Sequence, residues 1–450
     1  IANGDWSSDV CSSDLLSKTG EGEDETLRPK RYTRHWTVFL LSLLACGLGA
    51  FALWQAAGGP AQPASGSAPA KEELAAQRSS LLDQAAALAR GYYYQEAIDL
   101  LEQAGPGLQN EQTAQAAESY RQAQQDLVLY EGTVYHIFFH SLIVYPELAF
   151  DDTGHPAEGY NMWMTTVSEF QKMLPLLLEK GFVLYDITEL VETAEDGTVT
   201  PKPIYLPPGK KPLVLSVDDV SYYDYMAPDG FASRMVINDQ GDVVTEVQAP
   251  DGTAYQTYEG DVQPILDQFV KEHPEFSWRG AKGVLAPTGY QGAFGYRITD
   301  LELYTPEEGQ QMLEAVKAIS QRLRETGWQI GCHSYTHNGY WRGDITMEEL
   351  ESDLTRWKEL IGTYTGQTNI LITPFGAHYS PDDPRYQYMI DQGFTILCPV
   401  QANMSTTFTG QGMIQNRLNL DGYTMLKHPE RVSQHFFDPQ LVLDGARPPL

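Results

Sequence analysis

The sequence predicts an α/β fold with parallel strands, arranged either as an open doubly wound sheet or as a barrel. Three observations carry the prediction. After Gly132, short apolar runs alternate with helical patterns over most of the remaining chain. The run Leu213–Val217, apolar except for Ser216, leads straight into two adjacent carboxylates, Asp218 and Asp219; such a run reads as a strand buried on both faces. Gly181, Gly327 and Gly393 each sit just past a helical pattern, where a left-handed residue ends a helix.

At 450 residues the chain has room for two or three domains, and 42% hydrophobic residues is ample for a core. A formal charge of −30 argues against nucleic acid as a partner, because phosphate binding rests on Lys and Arg. It fits a solvated, secreted surface.

Residues 1–36 read as a cytoplasmic tail. Within it, Asp5–Leu15 looks like a sequencing adapter read through in one frame, so that stretch and Cys11 carry no weight for the fold. Arg28, Lys30, Arg31 and Arg34 then precede eighteen uncharged residues, Thr37 to Trp54. At 1.5 Å per residue these extend about 27 Å, enough to span a bilayer. Trp36 and Trp54 flank the span as interfacial aromatics do, and the upstream cations set the N-terminus in the cytoplasm. The expectation is a single-pass signal anchor at 37–54 in the cell membrane, with the remainder extracytoplasmic; a cleavable signal peptide is the competing reading.

Residues 55–70, rich in Ala, Gly, Pro and Ser, form a flexible linker. Residues 71–130 read as a helical hairpin. Tyr94 to Ala104 is similar to the turn and second helix of a tetratricopeptide repeat, without a second copy at that period. This segment packs on the next domain or recruits a protein partner, the first being the stronger expectation.

The remaining domain spans 131–450. Its strands are expected at Thr133–Phe139, Phe182–Tyr185, Leu213–Val217, Gly283–Ala286, Trp328–Cys332, Ile370–Thr373, Phe394–Cys398 and Met413–Leu420. Helices are expected at Val167–Glu179, Val262–Glu272, Pro306–Glu325, Met347–Thr363 and Pro384–Asp391, with Ser168 and Thr346 as hydroxyl caps. Two turn-punctuated short strands within 231–258 read as a β-hairpin insertion over one rim. Cys332 and Cys398 sit in apolar runs and read as buried thiols, with a disulfide between them left open.

The chemistry concentrates in two places. His333-Ser334-Tyr335-Thr336-His337 follows a strand directly, and Ser334 stands where a helical zinc-protease motif needs Glu. Two imidazoles from this loop and one carboxylate from the Asp218-Asp219 pair make a three-ligand divalent site with a position left for water or substrate. That donor set suits zinc, with cobalt, nickel or iron as alternatives. Each half taken alone is commonly a cap, a turn or a surface pair. Together, at the C-terminal ends of parallel strands, they stand where such folds place their sites.

These residues resemble a known family. Ser216-Val217-Asp218-Asp219-Val220 resembles the first motif, T-F-D-D-G, of the NodB-homology polysaccharide deacetylases. The loop His333–His337 matches their second motif, H-[ST]-x-x-H, and Thr373-Pro374-Phe375-Gly376 resembles the tail of the third, R-x-P-Y-G. The entry segment, Phe139-His140-Ser141-Leu142 onward, is similar to the extracytoplasmic branch acting on N-acetylglucosamine polymers. The resemblance covers about Thr133 to Phe437. It implies a deformed (β/α) barrel of about seven strands and metal-assisted hydrolysis of an N-acetyl group. By motif position, Asp218 is the expected general base, and Asp219, His333 and His337 the metal ligands.

The chain also departs from the pattern. Ile372 stands where the third motif has its Arg, with Arg417 as the candidate substitute, and Val220 replaces a Gly. His428 lies about where the family's His acid is expected; His136, His140 and His378 read as structural. Tyr222, Pro374 and Phe375 are the candidate substrate contacts, among further aromatics at Tyr223, Tyr225, Tyr290, Tyr296, Tyr340 and Trp341. The expected function is therefore deacetylation of an N-acetylated cell-envelope polysaccharide. The alternatives are an O-acetyl esterase on the same kind of glycan and a catalytically inactive glycan-binding or scaffold protein.

Overall fold

A computed structural model describes residues 68–401 and 403–450. The expected tail, membrane span and most of the linker lie outside the described residues. Among those described, no helix is long and apolar enough to cross a membrane. Residues 68–450 form one compact unit.

The unit is α/β. Strands β1 (Tyr135–Phe139), β2 (Lys211–Asp218), β3 (Val284–Ala286) and β4 (Gln329–Ile330) lie side by side in the order β1-β2-β3-β4, all parallel. A second parallel set runs β5 (Ile370–Ile372), β6 (Ile396–Cys398), β7 (Met413–Gln415). The sets touch where Cys332, just past β4, bridges Leu371. They touch again where the chain leaves β7 and re-pairs as β8 (Leu418–Asn419) against β1. The sequence suggested one strand over Met413–Leu420; it breaks at Asn416 and Arg417, and Arg417 bridges Val400 instead. That break turns the Arg417 side chain inward.

Helix bounds follow periodicity and caps. Helices Val167–Glu179, Val262–Glu272, Pro306–Glu325 and Pro384–Asp391 form over the ranges their apolar spacing indicates. Thr166, rather than Ser168, caps the first of them, in a reciprocal box with Glu169. Thr346 and Glu349 form the same box at Met347–Trp357. That helix widens into a π turn at Lys358–Gly362 instead of running evenly to Thr363.

Two smaller segments differ from expectation. The insertion is a three-stranded antiparallel meander, Ala232–Ile237, Val243–Gln248 and Ala254–Thr257, because Ala254–Thr257 supplies a further edge strand. The 71–130 segment holds three helices, Ala68–Arg90, Tyr94–Glu102 and Glu111–Gln125. They pack on the turn Pro274–Gly280: Tyr92 Oη donates to Glu275 O at 2.7 Å, and Arg279 pairs with Glu96. Cys332 and Cys398 are free and buried on either side of β5, so no disulfide joins them.

Candidate metal centre and active site

Strand β2 delivers both carboxylates. Asp218 is its last residue, buried and paired in register with Ala286 of β3. Arg417 grips it with both ends of the guanidinium, Nη1 to Oδ1 at 2.6 Å and Nη2 to Oδ2 at 3.0 Å. The same guanidinium donates to Ser216 Oγ at 3.1 Å and to Cys398 O at 3.0 Å, and lies over the Phe138 ring at 4.1 Å. Burial pushes the Asp218 carboxyl up. The Arg417 charge and, after it, His333 more than reverse this and hold it below the ordinary carboxylate range.

Asp219 leaves the strand in a left-handed backbone conformation, φ 57°. Its Oδ1 accepts from Tyr223 Oη at 2.7 Å and lies 3.7 Å from His337 Nε2 and 3.9 Å from His333 Nε2. Burial opposes ionisation here too, but His337, His333 and His140 outweigh it and hold the carboxyl at about 2. Burial also drives the His337 imidazole down to about 4, so it is neutral and able to donate a lone pair.

Two of the imidazoles, those of His333 and His140, are aimed by their second nitrogen. His333 Nδ1–H donates to Ile372 O at 2.8 Å. A carbonyl can only accept, so the proton is on Nδ1 and the Nε2 lone pair faces the carboxylates. His140 follows the same logic: Nδ1–H donates to Trp163 O at 3.1 Å, and Nε2 lies 3.9 Å from Asp219 Oδ2. The loop 333–337 is shaped by Asp353, a buried carboxylate on helix Met347–Trp357. It accepts from Tyr335 N at 2.7 Å, Thr336 N at 2.9 Å and Thr336 Oγ1 at 2.6 Å. Ser334 Oγ accepts from His337 N at 2.8 Å, closing the turn.

The donor atoms of Asp219, His333 and His337 all lie within 4.8 Å of one another. One carboxylate oxygen and two imidazole nitrogens gathered this closely fit a divalent cation. The residues present therefore suit the metal the sequence implies.

Residues 306–393, holding His333, His337 and the Thr373–Gly376 turn, match the family model described as polysaccharide deacetylase. That stretch of the chain is similar to the polysaccharide deacetylases. The resemblance carried by the motifs is thus borne out, although Asp218 and Asp219 lie outside the matched stretch. The chain is also similar to IcaB from Ammonifex degensii, at 11% identity over 65% of this chain and 93% of that one, TM-score 0.37. It is also similar to a de-N-acetylase from Aggregatibacter actinomycetemcomitans, at 14% identity over 65% and 96%, TM-score 0.38. A polysaccharide deacetylase from Bacillus cereus aligns at 14% identity over 64% and 65%, TM-score 0.34. No curated protein sequence matches the chain.

Several expected site residues fall elsewhere in the unit. His428 caps helix Gly422–Lys427, and its ring contacts are Tyr423 Oη at 3.3 Å and Glu430 at 3.6 Å, neither of them at the carboxylate pair. Tyr222 is fully buried in the main core with no face free for a sugar. Pro374 is buried at the start of a tight turn, whereas Phe375 is 39% exposed with its ring 4.6 Å from that of His337. His378 is exposed on the loop after β5. His140, Tyr223, Asp353 and the Ile372 carbonyl are the contributors that sequence reasoning did not place. Only His140 left a signal, its position just past a strand expected to be parallel.

Proposed function

We propose that this chain hydrolyses N-acetyl groups on a cell-envelope polysaccharide, with Asp218 as general base and a divalent metal, zinc first, on Asp219, His333 and His337. The observation that carries the reading is the buried two-pronged Arg417–Asp218 contact beside a converging Asp-His-His set. When bound, the metal would polarise the acetyl carbonyl and acidify a water. Asp218 takes the proton of the attacking water, and Arg417 keeps that carboxylate ionised and oriented. His140 with Nε2 protonated donates to the leaving amine nitrogen, a role its position supports better than that of His428. Phe375 is exposed beside His337 with the Arg342 guanidinium 4.5 Å over its ring, and its remaining apolar surface is the candidate sugar contact.

The ring of strand contacts supports a deformed seven-stranded (β/α) barrel, with the site at the C-terminal ends of its strands. We further propose that residues 37–54 anchor the enzyme in the membrane and that it acts outside the cytoplasm, which the cations at 28–34 support.

The test is acetate release from N-acetylglucosamine oligomers by the full chain. It is run metal-free and with zinc or cobalt restored, beside Asp218→Asn and His333→Ala. Metal-dependent release that both substitutions abolish supports the proposal. Release only from O-acetyl esters overturns the amide assignment, and failure to bind metal overturns the site.

A further inference from the structure

A buried histidine behind the site has no part in the mechanism above. His136, on β1, is fully buried, and its Nε2 lies 3.0 Å from Ser216 Oγ. Ser216 Oγ also accepts from Arg417 Nη1 at 3.1 Å, and that same Nη1 donates to Asp218 Oδ1 at 2.6 Å. The four side chains thus form one continuous chain from the interior to the base. Among the described residues, His136 Nδ1 has no partner.

The order of protons follows by elimination. Arg417 only donates, so Ser216 Oγ accepts from it. If His136 Nε2–H also donated to Ser216, the hydroxyl hydrogen would have no acceptor and Nδ1 would be an unpaired acceptor, leaving two orphans. If Ser216 instead donates to Nε2, only Nδ1–H is orphaned. Burial, then the nearby Arg417 charge, pushes His136 far below its ordinary range and keeps it neutral, as an acceptor must be. A buried imidazole with one orphaned nitrogen costs stability, and an apolar residue on β1 would avoid that cost.

We propose that His136 is a positioning residue: it takes the Ser216 hydroxyl hydrogen, so that the Ser216 lone pair locks the Arg417 fork onto Asp218. The inference rests on the assignment of Asp218 as base. His136 touches neither substrate nor metal ligand, so its removal leaves KM and metal content alone and lowers kcat. The expected loss for His136→Leu is about tenfold, equivalent to one hydrogen bond of roughly 1.4 kcal/mol lost from a charged network. His136→Gln, whose amide oxygen can accept from Ser216, recovers most of it.

The experiment measures kcat, KM and bound zinc for the full chain carrying His136→Leu, His136→Gln, Ser216→Ala and the Leu/Ala double substitution, with Asp218→Asn alongside. Expected are an equal kcat loss in His136→Leu and Ser216→Ala, no further loss in the double variant, and rescue by Gln. Additive losses, or a loss in His136→Leu that Gln fails to rescue, overturn the relay. Should His136→Leu not fold, Ser216→Ala against His136→Gln carries the test: wild-type kcat in Ser216→Ala overturns it. Activity in Asp218→Asn would sink the base assignment itself, a result distinguishable from failure of the relay alone.

Discussion

Replacing Arg417 with Ala is the sharpest perturbation the structure offers. Both partners are buried, with side-chain exposures of 0% and 4%. Removing the cation leaves Asp218 as an uncompensated interior charge, a loss of about 3–5 kcal/mol. At roughly 2 °C per kcal/mol for a domain of this size, the apparent Tm falls by about 6–10 °C. The sign with pH follows from the depressed Asp218 pKa. The pair contributes stability above the unfolded carboxyl value near 3.9 and loses it as pH falls through the lower folded value, so wild type and variant converge in acid. Without Arg417, burial is the largest remaining influence on Asp218. The carboxyl moves up, the base becomes protonated nearer neutrality, and acetate release at pH 7 falls by about 100-fold or more. Arg417→Lys keeps the charge but not the two-pronged grip and should fall between.

The double variant Arg417→Met with Asp218→Asn separates stability from chemistry. Removing both charges relieves the stranded carboxylate, so it should melt above Arg417→Ala yet release no acetate. Thermal melts from pH 3 to 8 and acetate assays on the same samples test both. Acetate release by Arg417→Ala within threefold of wild type, or a double variant no more stable than Arg417→Ala, would refute the argument.

Further outcomes are expected. Asp261, which caps helix Val262–Glu272 and also accepts from Leu142 N, is raised by burial to about 6. A raised carboxyl loses stability as pH climbs from its unfolded value near 3.9 to its folded value, so Asp261→Asn should stabilise by about 2–3 kcal/mol at pH 8 and by nothing near pH 4; a lower Tm at pH 8 would contradict this. His140→Ala should cut kcat by about 100-fold while His428→Ala leaves it near wild type, and the reverse pattern would return the acid to His428. Asp353→Ala strips three donors in the 333–337 loop of their acceptor and should weaken zinc binding by about 10–100-fold, read by competition with a chelator.

The legible parts of this molecule are local in sequence. Helix Pro306–Glu325 carries its own apolar spacing, its Thr305 cap and its terminal Gly327, so nothing distant is needed to bound it. Asp219, His333 and His337 were legible because residue type and strand-end position together imply convergence. What was hidden depends on tertiary closure. Arg417 could be weighed only as a substitute for the residue at 372, because its inward turn comes from the strand break between β7 and β8. Asp353 is a helix residue like any other until its carboxylate meets a loop some seventeen positions away. His140 left only its place just past a strand expected to be parallel; its tie to the Trp163 carbonyl and its nearness to Asp219 come from tertiary closure.

The neighbouring aspartates show how the fold sets identical side chains in two different surroundings. In a continuing strand they would point to opposite faces of the sheet. Strand β2 instead ends at Asp218, and Asp219 takes a left-handed conformation that bulky residues rarely adopt. Ser334, His337 and Phe375 do the same on the loops after β4 and β5, at φ 64°, 46° and 54°. Such residues persist where their surroundings over-determine them. Here the surroundings are visible: Tyr223 holds the Asp219 carboxylate, Asp353 holds the 333–337 loop, and Arg297 ties Ser221 O and Tyr222 O to Gln291 O. The strain therefore sits on the loops that carry the ligands, and the hydrogen bonds opposing it come from residues that need never touch the substrate. That division holds the candidate ligand set in place through residues outside it, and it is why the supporting residues, more than the candidate ligands themselves, escaped a reading of the sequence.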